Sequence, residues 1–301
     1  MSQHGVSVII PSFNQGRFLG SALQSVKDQE HPLLEVIICD ACSSDETENV
    51  VRLFPSLDIT FVSEKDRGQG DAVNKGVSLA KYKIIAWLNS DDEYVSGTLR
   101  FVSDYFSNES KSNPAIYGRT LKVDENGSVI GQMPVRQWCY DELLNHTYIC
   151  QPSVFFLRDF FYQVGGINSR LHLSLDYDLW LRMGRYQDFV FIDKVFSKNR
   201  DYVQTKTNSF KLESRIEFLC CSYVYGGGVW SKAWLWRLAH FQAMSFVGRD
   251  SPIQLEVIKR YMFAVYLIKI NFKILPTMSK KLNSTLKQIR LGGDLSLHDT
   301  E

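Results

Sequence analysis

The chain has 301 residues, 45% hydrophobic and 22% charged, with a formal net charge of +1. That length allows one large domain or a domain with an appendage, and the near-neutral balance removes any global electrostatic case for a nucleic-acid partner. Six cysteines form no disulfide framework, the start MSQHGVSVII lacks the regions of a signal peptide, and no run of 18 apolar residues spans a bilayer, so a reducing cytoplasm is the expected compartment.

Strand and helix signals alternate over the first hundred residues. VSVIIPSF (6–13) is a β-branched run that Pro11 is expected to stop. RFLGSALQSVKDQ (17–29) has helical apolar spacing, and EVIICD (35–40) reads as a buried strand. Ser43 and Ser44 are the cap candidates for a helix running to about Phe54. DITFVS (58–63), a helix from Gln69 to Ala80, and KIIAWLN (83–89) continue the alternation. Near-continuous hydrophobic strands between helices predict a parallel sheet covered on both faces.

In such a sheet, ligands bind beyond the strand C-termini. Those ends are polar: Ser12 and Asn14 after the first strand, Asp40 after the second, SEKDRGQGD (63–71) after the third and NSDD (89–92) after the fourth. They are expected to gather at one edge. From 110 to 200 the pattern becomes mixed. AIYGRTLKVDENGSVIG (115–131) predicts a hairpin turning at Asn126-Gly127, and ICQPSVFFLRDFFYQVGG (149–166) a strand and then a helix stopped by two glycines. DYDLWLRMGRY (176–186) reads as a short amphipathic helix, and the chain beyond 208 as helical.

Each chemical signal has a plainer counterpart. Adjacent acids in NSDD suit a hard divalent cation, and also a turn with a helix cap. The glycines of EKDRGQGDAVNKG could open a helix N-terminus to phosphate, or only loosen a loop. Asp176 and Asp178 could supply a general base, or complement a helix dipole. Cys39 and Cys42 have thiol-redox spacing, but Cys39 falls inside an apolar strand where a buried cysteine is ordinary.

Taken in order, VSVIIPSFNQGRFLGSALQSV, VIICDACSSDET, SEKDRGQGDAVNKG, IIAWLNSDDEY, YICQPSVFF, VGGINSRLHLSLDYDLWLR and TKTNS resemble the family 2 glycosyltransferases of the GT-A fold. These are inverting, metal-dependent enzymes that use nucleotide-diphospho-sugars, and the resemblance runs from about residue 5 to 207. It implies an α/β GT-A domain (1–208), with a Rossmann-like, mostly parallel central sheet, a nucleotide-sugar half (about 1–110) and an acceptor half (about 111–208). A helical region (209–301) follows.

The resemblance also implies roles. Asp40 would hold the uracil or ribose, Pro11 and Ser12 would line the base pocket, and Asn14, Arg67, Gln69 and Asp71 would belong to the donor-nucleotide set. Asp92 would be the direct ligand of Mn2+ or Mg2+, with Asp91 on the ribose or supporting the metal. Asp176 would be the general base. Gln151, Pro152 and Ser153 fall on the acceptor side, and Arg200 and Lys206 match a terminal pattern that closes over the diphosphate. The sequence departs from the family's usual pattern at Ala41 and Cys42, where glycines are usual, at Leu175, and at Tyr202, which replaces a histidine.

Residues 257–290 carry eight lysines and arginines and no acid, and WSKAWLWRLAHF (230–241) mixes tryptophan with bases. That composition suits an anionic membrane surface or a helical bundle packed on the domain. The first reading implies a protein peripheral to the inner face of the cell membrane, with a lipid-linked glycan acceptor. The rival functions are a sugar-nucleotidyltransferase and a non-catalytic nucleotide-sugar-binding protein.

Overall fold

The computed structural model describes residues 4–227, apart from 30, 32 and 109–112. One mixed nine-stranded sheet organises them. Its strands are β1 (Val6–Ser12), β2 (Leu34–Asp40), β3 (Ile59–Ser63), β4 (Ile84–Trp87), β5 (Glu93–Tyr94), β6 (Ala115–Val123), β7 (Val129–Gln132), β8 (Val154–Leu157) and β9 (Val190–Arg200). The helices are α1 (Gly16–Lys27), α2 (Thr47–Arg52), α3 (Gln69–Leu79), α4 (Thr98–Ser107), α5 (Tyr140–Leu143), α6 (Arg158–Gln163), α7 (Leu175–Gly184), α8 (Lys206–Ser209) and α9 (Lys211–Val224).

The sheet order is β3-β2-β1-β4-β8-β6-β9-β5, with β7 beside β6. The first four strands are parallel, as their unbroken apolar runs require; β8 then enters antiparallel to β4, and the second half is mixed. The sheet separates two cores. Inward residues of β1 alternate between them, with Ile9 on one side and Val8 and Ile10 on the other.

Pro11 does not stop β1, which runs on to Ser12. Ile9, two residues earlier and of the same parity, takes its bond from Leu88 on the β4 side, and β4 pairs with β1 only as far as Trp87. The missing N–H of Pro11 therefore falls where the neighbouring strand has already left, so no ladder bond is lost. Nor do Ser43 and Ser44 cap α2. The Asp45 carboxylate accepts from the Thr47 N–H and hydroxyl at 3.1 and 2.5 Å, and from the Gly16 N–H at 2.9 Å. One acid thereby sets two helix starts.

The hairpin forms as expected, with Gly127 at φ +86°. Two positive-φ glycines, 165 and 166, end α6. The helix α7 is not amphipathic: eight of its residues, Asp178 and Arg182 among them, are buried. Its would-be solvent face is covered by α9 and the residue after it, which add Cys220, Cys221 and Tyr225 to the core around Tyr177 and Trp180. The chain beyond 208 therefore starts as part of this core. Among the described residues no helix is long and apolar enough to cross a membrane, and the basic stretch 230–290 lies outside them.

Candidate active site

The C-terminal ends of β1, β2 and β3 are tied together. Asp40, buried at the end of β2, accepts from the Ser43 N–H (2.8 Å), the Ser43 hydroxyl (2.5 Å) and the Ser63 hydroxyl (2.8 Å). Ser43 Oγ in turn accepts from the Asn14 N–H at 2.7 Å, and Asn14 Oδ1 accepts from the Ser44 N–H at 2.9 Å. Asn14 sits at φ +51° and Cys42 at φ +58°. Beside this clasp the Ser12 hydroxyl is buried with no hydrogen-bond partner, and the Phe13 ring is 59% exposed. Pro11 is buried within β1, in register with Cys39.

Cys39 lies in the core, where burial pushes its thiol up to about 11, while Cys42 is exposed. A redox pair needs a thiol lowered toward neutrality, so the sulfur reading of this stretch fails on Cys39. Cys42 occupies the left-handed conformation that costs a side-chain-bearing residue about 1–2 kcal/mol and glycine little. Cys42→Gly is expected to melt at the same temperature or higher, whereas Cys42→Val melts lower and disturbs any ligand held by the Asp40 clasp. Calorimetry with nucleotide titration checks this.

The end of β4 carries a second polar network centred on Asn89. Its Oδ1 accepts from Gln69 Nε2 (2.8 Å) and Trp87 Nε1 (3.1 Å), and its Nδ2 donates to Asp92 (3.2 Å) and to Gln151 Oε1 (2.9 Å). Asp92 is 1% exposed and also accepts from Asn199 Nδ2 (3.0 Å) and the Arg200 N–H (3.1 Å). Asp91 is half-buried and accepts one side-chain bond, from the Tyr202 hydroxyl at 3.0 Å, which Gln15 Nε2 approaches at 3.3 Å. Burial raises the carboxyl pKa of both, and Asp92 goes further because the charge of Asp91 is beside it.

Several residues assigned outward roles face inward instead. Arg200 is 5% exposed; its guanidinium donates to Glu93 (2.6 Å) and to the carbonyls of Asp91, Asp124 and Glu125. A guanidinium so engaged braces the Asp91-Asp92 turn from below and is not free to close over a diphosphate. Ser153 is fully buried among Thr120, Ser197 and the Arg119 carbonyl, and Pro152 is buried beside it. Gln151 spends both ends of its amide on Asn89 and the Trp87 carbonyl. These three support the network rather than present polar atoms to an acceptor.

Arg67, just before α3, pairs with Asp71 of its first turn at 2.8 Å, with Arg67 exposed. Asp176 is brought to the same helix end from far along the chain. A Cβ on Gly70 would meet Ile167, Ser169 and Leu175 at 3.0–3.2 Å, so a glycine there lets the segment before Asp176 pack against α3. Lys206 Nζ donates to Gln69 Oε1 at 3.3 Å, and its charge acts on Asp176. Asp176, half-buried, accepts from the Tyr177 N–H at 2.8 Å; burial raises its carboxyl pKa against that bond and against Lys206. Gln15 and Phe13 are the site members that the sequence motifs do not single out. Asn89 carries a signal as the first letter of NSDD, and Tyr202 as the residue standing at the family's usual histidine.

No three His, Cys, Asp or Glu side chains converge as a ready metal set among the described residues. Asp91 is nonetheless suited to a divalent cation. It is an accessible carboxylate beside a buried one, and both charged forms are disfavoured until a cation arrives. Asp92 is less open to one, being 1% exposed with three N–H donors on its oxygens.

The family profile "Glycosyl transferase family 2" matches residues 7–165, more than half of the chain. A PGL/p-HBAD biosynthesis glycosyltransferase of Mycobacterium tuberculosis is 31% identical over 180 residues, 58% of this chain and 68% of that one. Uncharacterized glycosyltransferases of Rickettsia felis and Rickettsia prowazekii are 26% and 25% identical over 65% and 68% of this chain. The chain spans 34% and 66% of those two rickettsial relatives. S. aureus TarS 1-349 in complex with UDP superposes with a TM-score of 0.60 at 15% identity, covering 96% of this chain and 80% of that one. The mannosyltransferase PcManGT of Pyrobaculum calidifontis, in complex with GDP-Man and Mn2+, gives 0.56 at 16% over 97% and 86%. The chain belongs to glycosyl transferase family 2, on a GT-A fold.

Proposed function

We propose that the protein is an inverting glycosyltransferase that moves a sugar from a nucleotide-diphospho-sugar, with UDP as the nucleotide, to an acceptor hydroxyl. The observation that carries the proposal is the convergence of three elements at one sheet edge: the Asp40 clasp, the Asn89–Asp91 turn, and Asp176 beside the start of α3. The clasp and the exposed Phe13 ring offer a pocket and a π-face to the base and ribose. The α3 N-terminus, with Lys206 on Gln69, faces the negative diphosphate. Asp91 would hold Mn2+ or Mg2+, whose charge offsets that of the leaving diphosphate. Asp176 then takes the acceptor proton as the hydroxyl attacks the anomeric carbon from the opposite face. One displacement with one base inverts the configuration.

The nucleotide and the acceptor rest on different supports. TarS complexes hold UDP and UDP-GlcNAc and PcManGT holds GDP-Man, so the fold accommodates more than one base. A lipid-linked acceptor in surface-polysaccharide synthesis, at the cytoplasmic membrane face, rests on family resemblance and on the basic composition of 230–290. A thermal-shift panel of UDP-, GDP- and dTDP-sugars with and without Mn2+ tests the reading. A UDP-sugar is expected to give the largest shift, and only with Mn2+. No shift with any sugar nucleotide would overturn the proposal.

A further inference from the structure

The geometry points to Glu217, on α9, as the positioning residue that holds Asp176 in place. Its carboxylate accepts from three consecutive backbone N–H groups, those of His172 (3.1 and 3.2 Å, shared between both oxygens), Leu173 (2.8 Å) and Ser174 (2.9 Å). These residues lead directly into α7, whose second residue is Asp176. Ser174 is the N-cap of α7 yet makes no side-chain cap bond; its hydroxyl donates to the Ser214 carbonyl of α9 at 3.3 Å. The segment leading into the base-bearing helix is therefore held by another helix of the same chain. A carboxylate at this end also complements the α7 dipole.

The grip extends along α7. The Tyr177 ring stacks on Phe218 at 4.3 Å, and the Tyr225 hydroxyl donates to Asp178, which also takes two bonds from Arg182. The hydrophobic and ionic contacts fix where the helix lies. Glu217 fixes how the chain enters it, because it satisfies the three N–H groups just upstream. Without it, the 172–174 segment loses those partners and the first turn of α7 is free to shift relative to Gln69 and Asn89. A misplacement of about 1 Å at a reacting group can cost about 100-fold in rate. The anchor lies beyond residue 208 and outside the stretch matched by the family profile, so the start of the C-terminal region supports the geometry of the site.

The inference rests on the reading of Asp176 as the base, and its test has one readout that does not. In the full chain, Glu217→Ala is expected to speed amide exchange of residues 172–174 at least tenfold. It should also lower kcat for nucleotide release from the best sugar nucleotide of the panel at least tenfold, with the Kd for UDP and Mn2+ unchanged within twofold. Glu217→Gln keeps an acceptor oxygen and should restore most of both. Unchanged exchange and kcat in the alanine variant would overturn the role, as would equal losses in kcat and UDP affinity, the mark of a merely structural residue. Should the alanine variant not fold, Glu217→Asp decides, because its shorter side chain draws the carboxylate back from the three N–H groups: a two- to tenfold kcat loss at constant Kd supports the anchor, and wild-type kcat and exchange refute it. Normal turnover in Asp176→Asn would instead remove the base, leaving the exchange result to stand alone.

Discussion

Asp176→Asn is expected to abolish transfer while leaving the binding of UDP and Mn2+ within about twofold of wild type. The amide matches the carboxylate in shape and can still accept from the Tyr177 N–H, so α7 and its contacts with α3 survive. What it lacks is the capacity to take the acceptor's proton, a contribution of about 10²–10⁴-fold. Burial lifts this carboxyl above its ordinary range, so the acidic limb of the wild-type pH–rate profile should lie above the usual aspartate value. The same shift fixes a stability effect. A carboxyl whose folded pKa exceeds its unfolded one holds its proton longer in the folded state, so stability falls as pH rises through that interval. At pH 7 the charged form weakens the fold, and Asp176→Asn should melt higher than wild type. That gap should close as pH drops below the unfolded value. Normal turnover in the variant would reject the base, and a lower melting temperature at pH 7 would reject the electrostatic account.

How much of this was legible beforehand depended on distance along the chain. The parallel half of the sheet was written in the apolar runs of β1 to β4, and the polar strand ends located the site edge. The hairpin at Gly127 and the glycine stop of α6 are local, and local chemistry reveals them. The misreadings are tertiary. The family resemblance puts Arg200 over the diphosphate and Ser153 in the acceptor-side segment, but which face of β9 and of the Gln151–Ser153 turn is buried is decided by strands paired far from them. The helix α7 seemed amphipathic because nothing near residues 175–184 announces α9. Asp176 could not be tied to the N-terminal cluster by spacing, since its approach runs through the close contact of Gly70 with Leu175. Glu217 left no trace, because an acid on a helix surface is ordinary until its partners are known.

The pair Asp91-Asp92 separates reading from structure most sharply, and the two alanine variants should fail in different ways. The motif alone places the metal on Asp92. The structure instead holds Asp92 with Asn89, Asn199 and the Arg200 N–H, and gives Asp91 one side-chain bond, from Tyr202. Asp91→Ala should therefore remove Mn2+-stimulated UDP binding, by about 100-fold or more, since even supporting residues of a metal site cost 10–100-fold. Its melting temperature in the absence of metal should barely move. Asp92→Ala strips buried N–H groups of their acceptor, at about 1–3 kcal/mol for an unsatisfied buried donor, or roughly 2–4 °C per kcal/mol in melting temperature for a domain of this size. Its metal response weakens only as far as the Asp91 turn sags with it. Calorimetric titration of UDP with and without Mn2+, beside apo-protein melting curves, distinguishes the two. If Asp92→Ala melts like wild type and loses the metal response, while Asp91→Ala keeps it, the ligand is Asp92 and the three N–H donors must yield when the cation binds.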